Sequence, residues 1–327
     1  MAIFRAWALA LVILCSSCRG TLATMKKKHV SSHEDTFTAA VENAWFRAEN
    51  HLEEIDDYVT NWIGKRTKHC LDAFGASKRM KSAWLAQGRE ATAFDVTLNT
   101  QDDIVMRSGF FRMVDRTCEL VDRGLIVAGP PCSVFGFLSC SVHKRYMSQY
   151  GVEGDTSLRC VRLSNRITTN FATLLRVCCP LRNLLVVVEQ PADSWMFKLP
   201  VWQTLIPILC LIRITTHMGC FGHPMCKATH LLSNLPGIVA LARKMTKKQR
   251  EKIKAKQRRS KKSYLVKDGS GKVHGGKHLQ SSAKYTATFA NAMYNVWSDS
   301  HFVKTTQQFK RLRPFSMHYL MQHFCSI

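Results

Sequence analysis

Three places in the chain set a reactive side chain directly behind an apolar run. Cys132 follows LIVA in GPPCSVF (129–135), Glu189 follows LLVVV in VVVEQP, and Asp72 and Gly75 bracket the turn in LDAFGAS (71–77). Two prolines ahead of a thiol stiffen the backbone and hold the sulfur where the run ends. A cysteine that only packs needs no such arrangement, so Cys132 is a candidate nucleophile, for which a lowered pKa is the requirement. A lone carboxylate behind LLVVV is expensive unless something binds it, which makes Glu189 the most informative acid in the chain. A glycine turn opening a helix can hold a nucleotide-like cofactor. Asp95 ends the next apolar segment, 23 residues beyond Asp72, a spacing that suits hydrogen bonds to ribose hydroxyls. The plain structural alternatives are a small residue closing a turn at Cys132 and a chance acid at Asp95.

The runs that carry these residues alternate with helical segments. HCLDAF, EATAFDV, LIVAG and NLLVVVEQP read as strands, and Leu209–Thr216 and His230–Leu232 as two more. Ser77–Gln87, Gly109–Val121, Leu158–Cys178 and Lys284–Trp297 read as helices. Such alternation predicts an α/β fold, a Rossmann-like, mostly parallel sheet flanked by helices. Runs such as LLVVV suit strands buried on both faces. Ligands of these sheets bind at the carboxyl ends of strands, where the candidate residues fall. Upstream, Phe37, Val41, Trp45, Leu52, Ile55, Val59 and Trp62 recur at near-helical spacing and predict amphipathic helices that pack on the domain. The expected organisation is a helical extension over 24–65, a main domain over 66–300 with an insertion at 241–282, and a tail over 301–327.

With 327 residues and 46% apolar content the chain can bury a real core. Its net charge of +24 points to a polyanionic partner, a nucleic acid or an anionic membrane surface. Net +13 of that lies between Leu241 and His278. The densest part, 243–262, contains Lys247, Lys248, Arg250, Arg258, Arg259, Lys261 and Lys262. These cations suit phosphate neutralisation or a nuclear-import signal; with Tyr264 the lone aromatic nearby, they position nucleic acid and do not read it. The first half of the insertion could form a basic helix, and the whole reads as a disordered, charged segment. Thirteen cysteines at irregular spacing do not suit a small disulfide-stapled module and favour reduced thiols. Residues 1–23 follow the pattern of a signal peptide, which implies the secretory pathway; a start at Met25, or the basic cluster, implies the nucleus.

In their order, the motifs resemble those of the cytosine C5-methyltransferases, which have the class I S-adenosylmethionine-dependent fold. DAFG is similar to their cofactor turn, GPPC to their catalytic-cysteine motif, and VEQP stands where they carry Glu-Asn-Val. The similarity spans about Cys70 to Gln190, and less securely Lys284–Trp297, roughly half the chain. The resemblance implies S-adenosylmethionine held by Asp72, Phe74, Gly75, Asp95 and Pro131. It implies that Cys132 attacks C6 of a cytosine, that Glu189 holds the polar edge and helps protonate N3, and that C5 takes the methyl group. The base must be flipped or already single-stranded, and the implied partner is nucleic acid, DNA ahead of RNA. The sequence departs from the family in having ASKRM after Gly75, Ser133 after the cysteine, Gln190-Pro191 after the glutamate, and no Gln-x-Arg-x-Arg stretch.

The corresponding region reads HMGCFGHPMCKATH (217–230), with His217, Cys220, His223, Cys226 and His230 close together. Their spacing matches no standard zinc motif. The expectation is therefore no metal, and a loop whose Lys227 and histidines face phosphate or base. Three other readings stay open: an inactive domain of this type that binds nucleic acid, a methyltransferase for another substrate, and a secreted disulfide-bonded protein.

Overall fold

The computed structural model describes residues 44–145, 149–260, 265–267, 269, 273–275 and 283–302. The signal-like segment, residues 24–43 of the helical extension, Lys261, Lys262 and the tail beyond 302 lie outside the described residues. Six strands form the central sheet: β1 (Lys68–Ala73), β2 (Ala91–Phe94), β3 (Leu120–Ala128), β4 (Leu185–Pro191), β5 (Ile212–His217) and β6 (Ala228–Ser233). They lie in the order β2-β1-β3-β4-β6-β5. The first four are parallel, and β6 runs antiparallel between β4 and β5. The helices are α1 (Leu52–Thr60), α2 (Arg79–Leu85), α3 (Arg107–Cys118), α4 (Cys140–His143), α5 (Arg159–Arg182), α6 (Pro200–Ile208), α7 (Lys247–Arg259) and α8 (Ala287–Phe302). A short hairpin pairs β7 (Leu265–Lys267) with β8 (Val273–Gly275).

The apolar runs become central strands because both of their faces are covered. Leu125 and Val127 of β3, with Leu185 and Val187 of β4, pack with Trp84 of α2 and Phe289, Met293 and Trp297 of α8. The alternate residues, Ile126, Ala128, Val186 and Val188, pack on the opposite side with α1, α3, α5 and α6. Each fully buried aliphatic or aromatic side chain contributes about 1.5–3 kcal/mol relative to exposure, so period-two burial on two faces fixes the register. The segment before the sheet is tied down by the buried Asn170, whose Oδ1 accepts from Ala48 N–H at 3.1 Å and whose amide donates to Phe46 and Ile104 carbonyls at 3.0 and 2.8 Å.

From β1 the chain passes outward to β2, then returns through α3 to β3 on the other side of β1. The topological switch point therefore lies between β1 and β3, where a doubly wound sheet opens a crevice at its carboxyl edge.

Several boundaries differ from the sequence expectation. The helix expected over Gly109–Val121 ends at Cys118 because Leu120 and Val121 already belong to β3. α5 continues past Cys178 to Arg182, where Asn183 adopts a left-handed conformation and closes it. Within 241–282 the described residues include a helix, as the first half of the insertion allowed. Leu241 and Met245 are buried, and Lys247–Arg259 is helical, started by a capping box between Thr246 and Gln249. A run rich in Lys, Gln and Arg has good helix propensity, which the charge count alone conceals. Among the described residues no helix is long and apolar enough to cross a membrane, and the cysteines from Cys70 to Cys226 carry free thiols.

Candidate active site

At the end of β1 the backbone turns through Phe74, which has a positive φ of 57°. Asp72 is fully buried. Its Oδ2 accepts from the N–H groups of Met80 and Lys81 at 3.1 and 3.2 Å, while Oδ1 is buried without a hydrogen-bond partner. A Cβ on Gly75 would collide with this carboxylate, so the glycine is required by the close approach of the turn. Burial lifts the Asp72 carboxyl to about 7, against the Lys81 and Met80 hydrogen bonds and with a further push from Asp95. Asp95, at the end of β2, uses Oδ1 to accept from the Thr97 N–H and hydroxyl at 2.7 and 2.6 Å. The Phe74 ring stands edge-on to Phe171, 5.2 Å between centroids.

The Cys132 loop is fastened through its carbonyls. Phe135 and Gly136 N–H both donate to Cys132 O at 3.0 Å, so the turn after the thiol spends its donors on the loop itself. Gln190, fully buried, donates to Pro130 O at 2.8 Å and accepts from Ser194 Oγ at 2.8 Å. Arg145 is likewise buried. Its Nε donates to Val134 O at 2.8 Å, and its other nitrogens bond Val152 O, Glu153 O and Asn165 Oδ1 at 2.9–3.0 Å. The guanidinium also lies 4.0 Å from the Phe135 ring centroid. Burial depresses this arginine to about 10. Pro131 is exposed and Cys132 half-buried at the rim of the crevice.

Glu189, at the end of β4, is 6% exposed, and both of its oxygens have neighbours. Lys227 Nζ lies 3.0 Å from Oε1, an ion pair without aligned hydrogen-bond geometry, and Tyr285 Oη donates to Oε2 across 3.4 Å. Lys227 immediately precedes β6, whose antiparallel course brings its start to the carboxyl edge of the sheet. Tyr285 immediately precedes Thr286, whose Oγ1 accepts from Phe289 N–H at the start of α8. Burial raises the Cys132 thiol; Lys227 pulls it down, and Glu189 and Asp193 push it up. Burial would lower Lys227, but Glu189 and Cys132 more than offset it and raise its pKa. Tyr285 is held well above its ordinary value by burial, then by Glu189, Asp72 and Cys132. One hydroxyl thus senses the ends of β1, β3 and β4 together.

The 217–230 segment supports this corner and carries α7. His217 Nδ1 is 3.1 Å from Arg243 O, His223 Nδ1 accepts from Met225 N–H at 3.1 Å, and Cys226 Sγ is 3.9 Å from Arg250 O. Among the described residues no group of three such side chains converges to hold a metal. Arg250, Ile253 and Gln257 form the half-buried stripe of α7, while Lys247, Lys248, Arg258 and Arg259 are exposed. Gln257 donates to Pro224 O at 2.6 Å, so the helix is docked on the loop that ends at Lys227.

The structure brings Cys132, Glu189, Asp72 and Gly129 to one edge of the sheet, joined by Lys227, and places Asp95 at the next strand end. Sequence reasoning missed Tyr285 and the bridging role of Gln190. Tyr285 lies 96 positions from its partner Glu189, and nothing in its local spacing marks it.

No protein-family model matches this chain, and no curated protein matches it significantly. Two solved structures superpose on part of it. One is the Entamoeba histolytica methyltransferase EhMeth, at 11% identity over 52% of this chain and 53% of that one, TM-score 0.32. The other is described as a DNA modification methyltransferase encoded within an E. coli prophage, at 13% identity over 51% of this chain and 46% of that one, TM-score 0.31. The chain spans about half the length of each, and the superpositions are too loose for either protein's activity to bear on this one.

Proposed function

We propose that the chain is an S-adenosylmethionine-dependent methyltransferase acting on nucleic acid, with cytosine C5 as the atom methylated. The observation that carries this reading is the meeting of Cys132 and Glu189. They stand at the carboxyl ends of neighbouring parallel strands, next to the switch point, and share Lys227 as an electrostatic neighbour. A nucleophile beside a buried carboxylate is the pair that addition to an electron-poor ring requires.

The crevice between β1 and β3 fits the cofactor in its donor set: a close glycine turn, the orphaned Asp72 Oδ1, and Asp95 one strand away. Gly75, Asp95 and Pro131 would hold it, and when bound it supplies an electrophilic methyl group. Cys132 must ionise to attack; burial opposes this and Lys227 favours it. Glu189, with its neighbours on both oxygens, is placed to accept from an N–H edge of a base. The cations of α7 supply salt-sensitive affinity for phosphates, and their helix rests on the loop bordering the site. A base in a duplex has to leave the stack to reach Cys132.

Calorimetry with S-adenosylmethionine tests the cofactor site: binding weakened by Asp95→Ala supports it, and no binding by a folded protein overturns it. Cys132→Ala should then abolish methylation of DNA or RNA while retaining cofactor binding; surviving turnover refutes the thiol mechanism. A second reading, a nucleic-acid-binding protein without turnover, is favoured by one observation. Burial raises the Cys132 thiol in the absence of substrate. Cofactor binding without methylation of any tested nucleic acid would select it.

A further inference from the structure

Lys227, a half-buried cation, stands beside two groups able to carry negative charge. Lys227 is 20% exposed in its side chain and Glu189 8%. The lysine backbone is pinned, since Met218 N–H donates to Lys227 O at 2.8 Å and Ala192 N–H to Ala228 O at 3.0 Å. With Cys132 as a thiol and Glu189 as a carboxylate, the trio of thiol, carboxylate and ammonium is neutral. A thiolate formed beside ionised Glu189 would set two anions around one ammonium. Protonating Glu189 alone would leave that cation unpaired, an unfavourable state. The remaining neutral arrangement puts the charge on sulfur and the proton on Glu189.

We propose that Lys227 is the shared counter-ion of Cys132 and Glu189, so that thiol and carboxylate hold one proton between them and Cys132 ionises when Glu189 is neutralised. In this exchange the S–H bond breaks, an O–H bond forms on Glu189, and Lys227 stays charged while changing partner; the net charge is zero before and after. Lys227 is a positioning residue, acting through the other two. Among the described residues, Asp193, after β4, and Tyr285, ahead of α8, also act on this trio, and Tyr285 itself senses Asp72 on β1. The inference rests on reading Cys132 and Glu189 as a working pair. It links the two demands of that reading, since the proton leaving the nucleophile is the one that makes the acid.

The test is the pH dependence of Cys132 alkylation by iodoacetamide in the full-length protein, without cofactor or nucleic acid, followed on the Cys132 peptide by mass spectrometry. Glu189→Gln should lower the Cys132 midpoint by about one pH unit, raising the thiolate fraction near neutral pH about tenfold. Because a thiolate of lower pKa is a weaker nucleophile, the alkylation rate should rise only about threefold. Lys227→Met should move the midpoint up by a similar amount, and Lys227→Arg should restore it. In the Lys227→Met background, Glu189→Gln should have a clearly smaller effect, since no ammonium is freed. A midpoint unmoved by Lys227→Met, or raised by Glu189→Gln, overturns the proposal. Should Lys227→Met fail to fold, Glu189→Gln in the Lys227→Arg protein carries the same sign test. Absent methylation by a folded protein leaves these midpoints untouched, so the two readings fail separately.

Discussion

Gly129 is the last residue before the two prolines that hold Cys132, and the geometry around it yields a test of how the site is assembled. A Cβ built there lies 2.6 Å from Tyr285 Oη, 3.6 Å from Tyr285 Cζ and 3.6 Å from Glu189 Oε2. The first distance is well inside contact; the other two are ordinary van der Waals separations. Tyr285 is buried at 9% exposure, and its ring packs against Phe289 with centroids 5.6 Å apart, so its hydroxyl has little room to retreat. Gly129→Ala should therefore destabilise the protein by about 1–3 kcal/mol, the usual penalty of overpacking a filled site. For a chain of 327 residues that is a fall of about 1–2 °C in Tm for each kcal/mol. Tyr285→Phe removes Oη and leaves Cζ as the nearest ring atom at its 3.6 Å contact. In that background the alanine should cost less than about 0.5 kcal/mol beyond the phenylalanine alone. The assay is a double-mutant cycle on thermal midpoints, with far-UV circular dichroism to confirm the fold. Equal penalties for Gly129→Ala in both backgrounds would mean that the hydroxyl does not press on the end of β3, and would refute the convergence inferred at Tyr285.

Three further outcomes follow from other parts of the site. The Asp72 carboxyl, raised by burial to about 7 from an ordinary value of about 4, loses its proton later in the folded chain than in the unfolded one. Its contribution to stability is therefore fully present below about pH 4, and is lost as pH rises through about 7. Asp72→Asn, which keeps an acceptor for the Met80 and Lys81 N–H groups, should remove that decline, a gain of at most about 4 kcal/mol at neutral pH; parallel Tm-against-pH curves for the two proteins would refute it. Arg145→Met strands the buried carbonyl of Val134, at about 1–3 kcal/mol, and leaves the carbonyls of Val152 and Glu153 and the Asn165 amide oxygen to water. It should lower stability by about 1–3 kcal/mol and raise hydrogen exchange at Phe135 and Gly136, whereas a loss well below about 1 kcal/mol would show that the turn holds itself. Replacing Lys248, Lys252, Arg258 and Arg259 by Gln should reduce the logarithmic salt slope of DNA binding by about one for each phosphate no longer neutralised, measured by fluorescence anisotropy; an unchanged slope would make α7 a bystander.

The sheet was legible because central strands advertise themselves. LLVVV and LIVA are continuous apolar runs since both faces of β4 and β3 are covered, and no surface element would carry them. The helices were harder to bound. α6 contains Pro200 and Pro207, and a proline reads as a break although Pro200 sits in the first turn, where its missing N–H is harmless. For α7 the sequence left two readings open, a basic helix and a disordered charged segment. Eight cations and one acid within Lys247–Arg259 look like a solvated tail, whereas the Thr246–Gln249 capping box, the half-buried stripe of Arg250, Ile253 and Gln257 and the Gln257 bond to Pro224 O mark it as a docked helix.

The site divides along the same line. What the sequence displayed were residues at strand ends, because a polar group directly after an apolar run is locally anomalous: Asp72, Asp95, Cys132 and Glu189 all carry that mark. What it concealed were the residues that make those groups behave. Tyr285 meets Glu189 across 96 positions, and Gln190 holds Pro130 across 60; neither distance leaves a spacing to read. Gln190 is instructive because in the motif it is a departure from the family pattern, and a departure reads as loss. In the fold its amide donates to the Pro130 carbonyl while its oxygen accepts from Ser194, so the longer side chain spans the gap from the end of β4 to the loop that carries the thiol. Lys227 is the same lesson in charge. It sits in a segment whose histidines and cysteines drew attention toward metal, yet it is the ammonium in that segment that reaches Glu189. A substitution in a motif therefore says little about activity until the partner it reaches is known. Here the partners of Gln190 and Lys227 are the Cys132 loop and the Glu189 carboxylate.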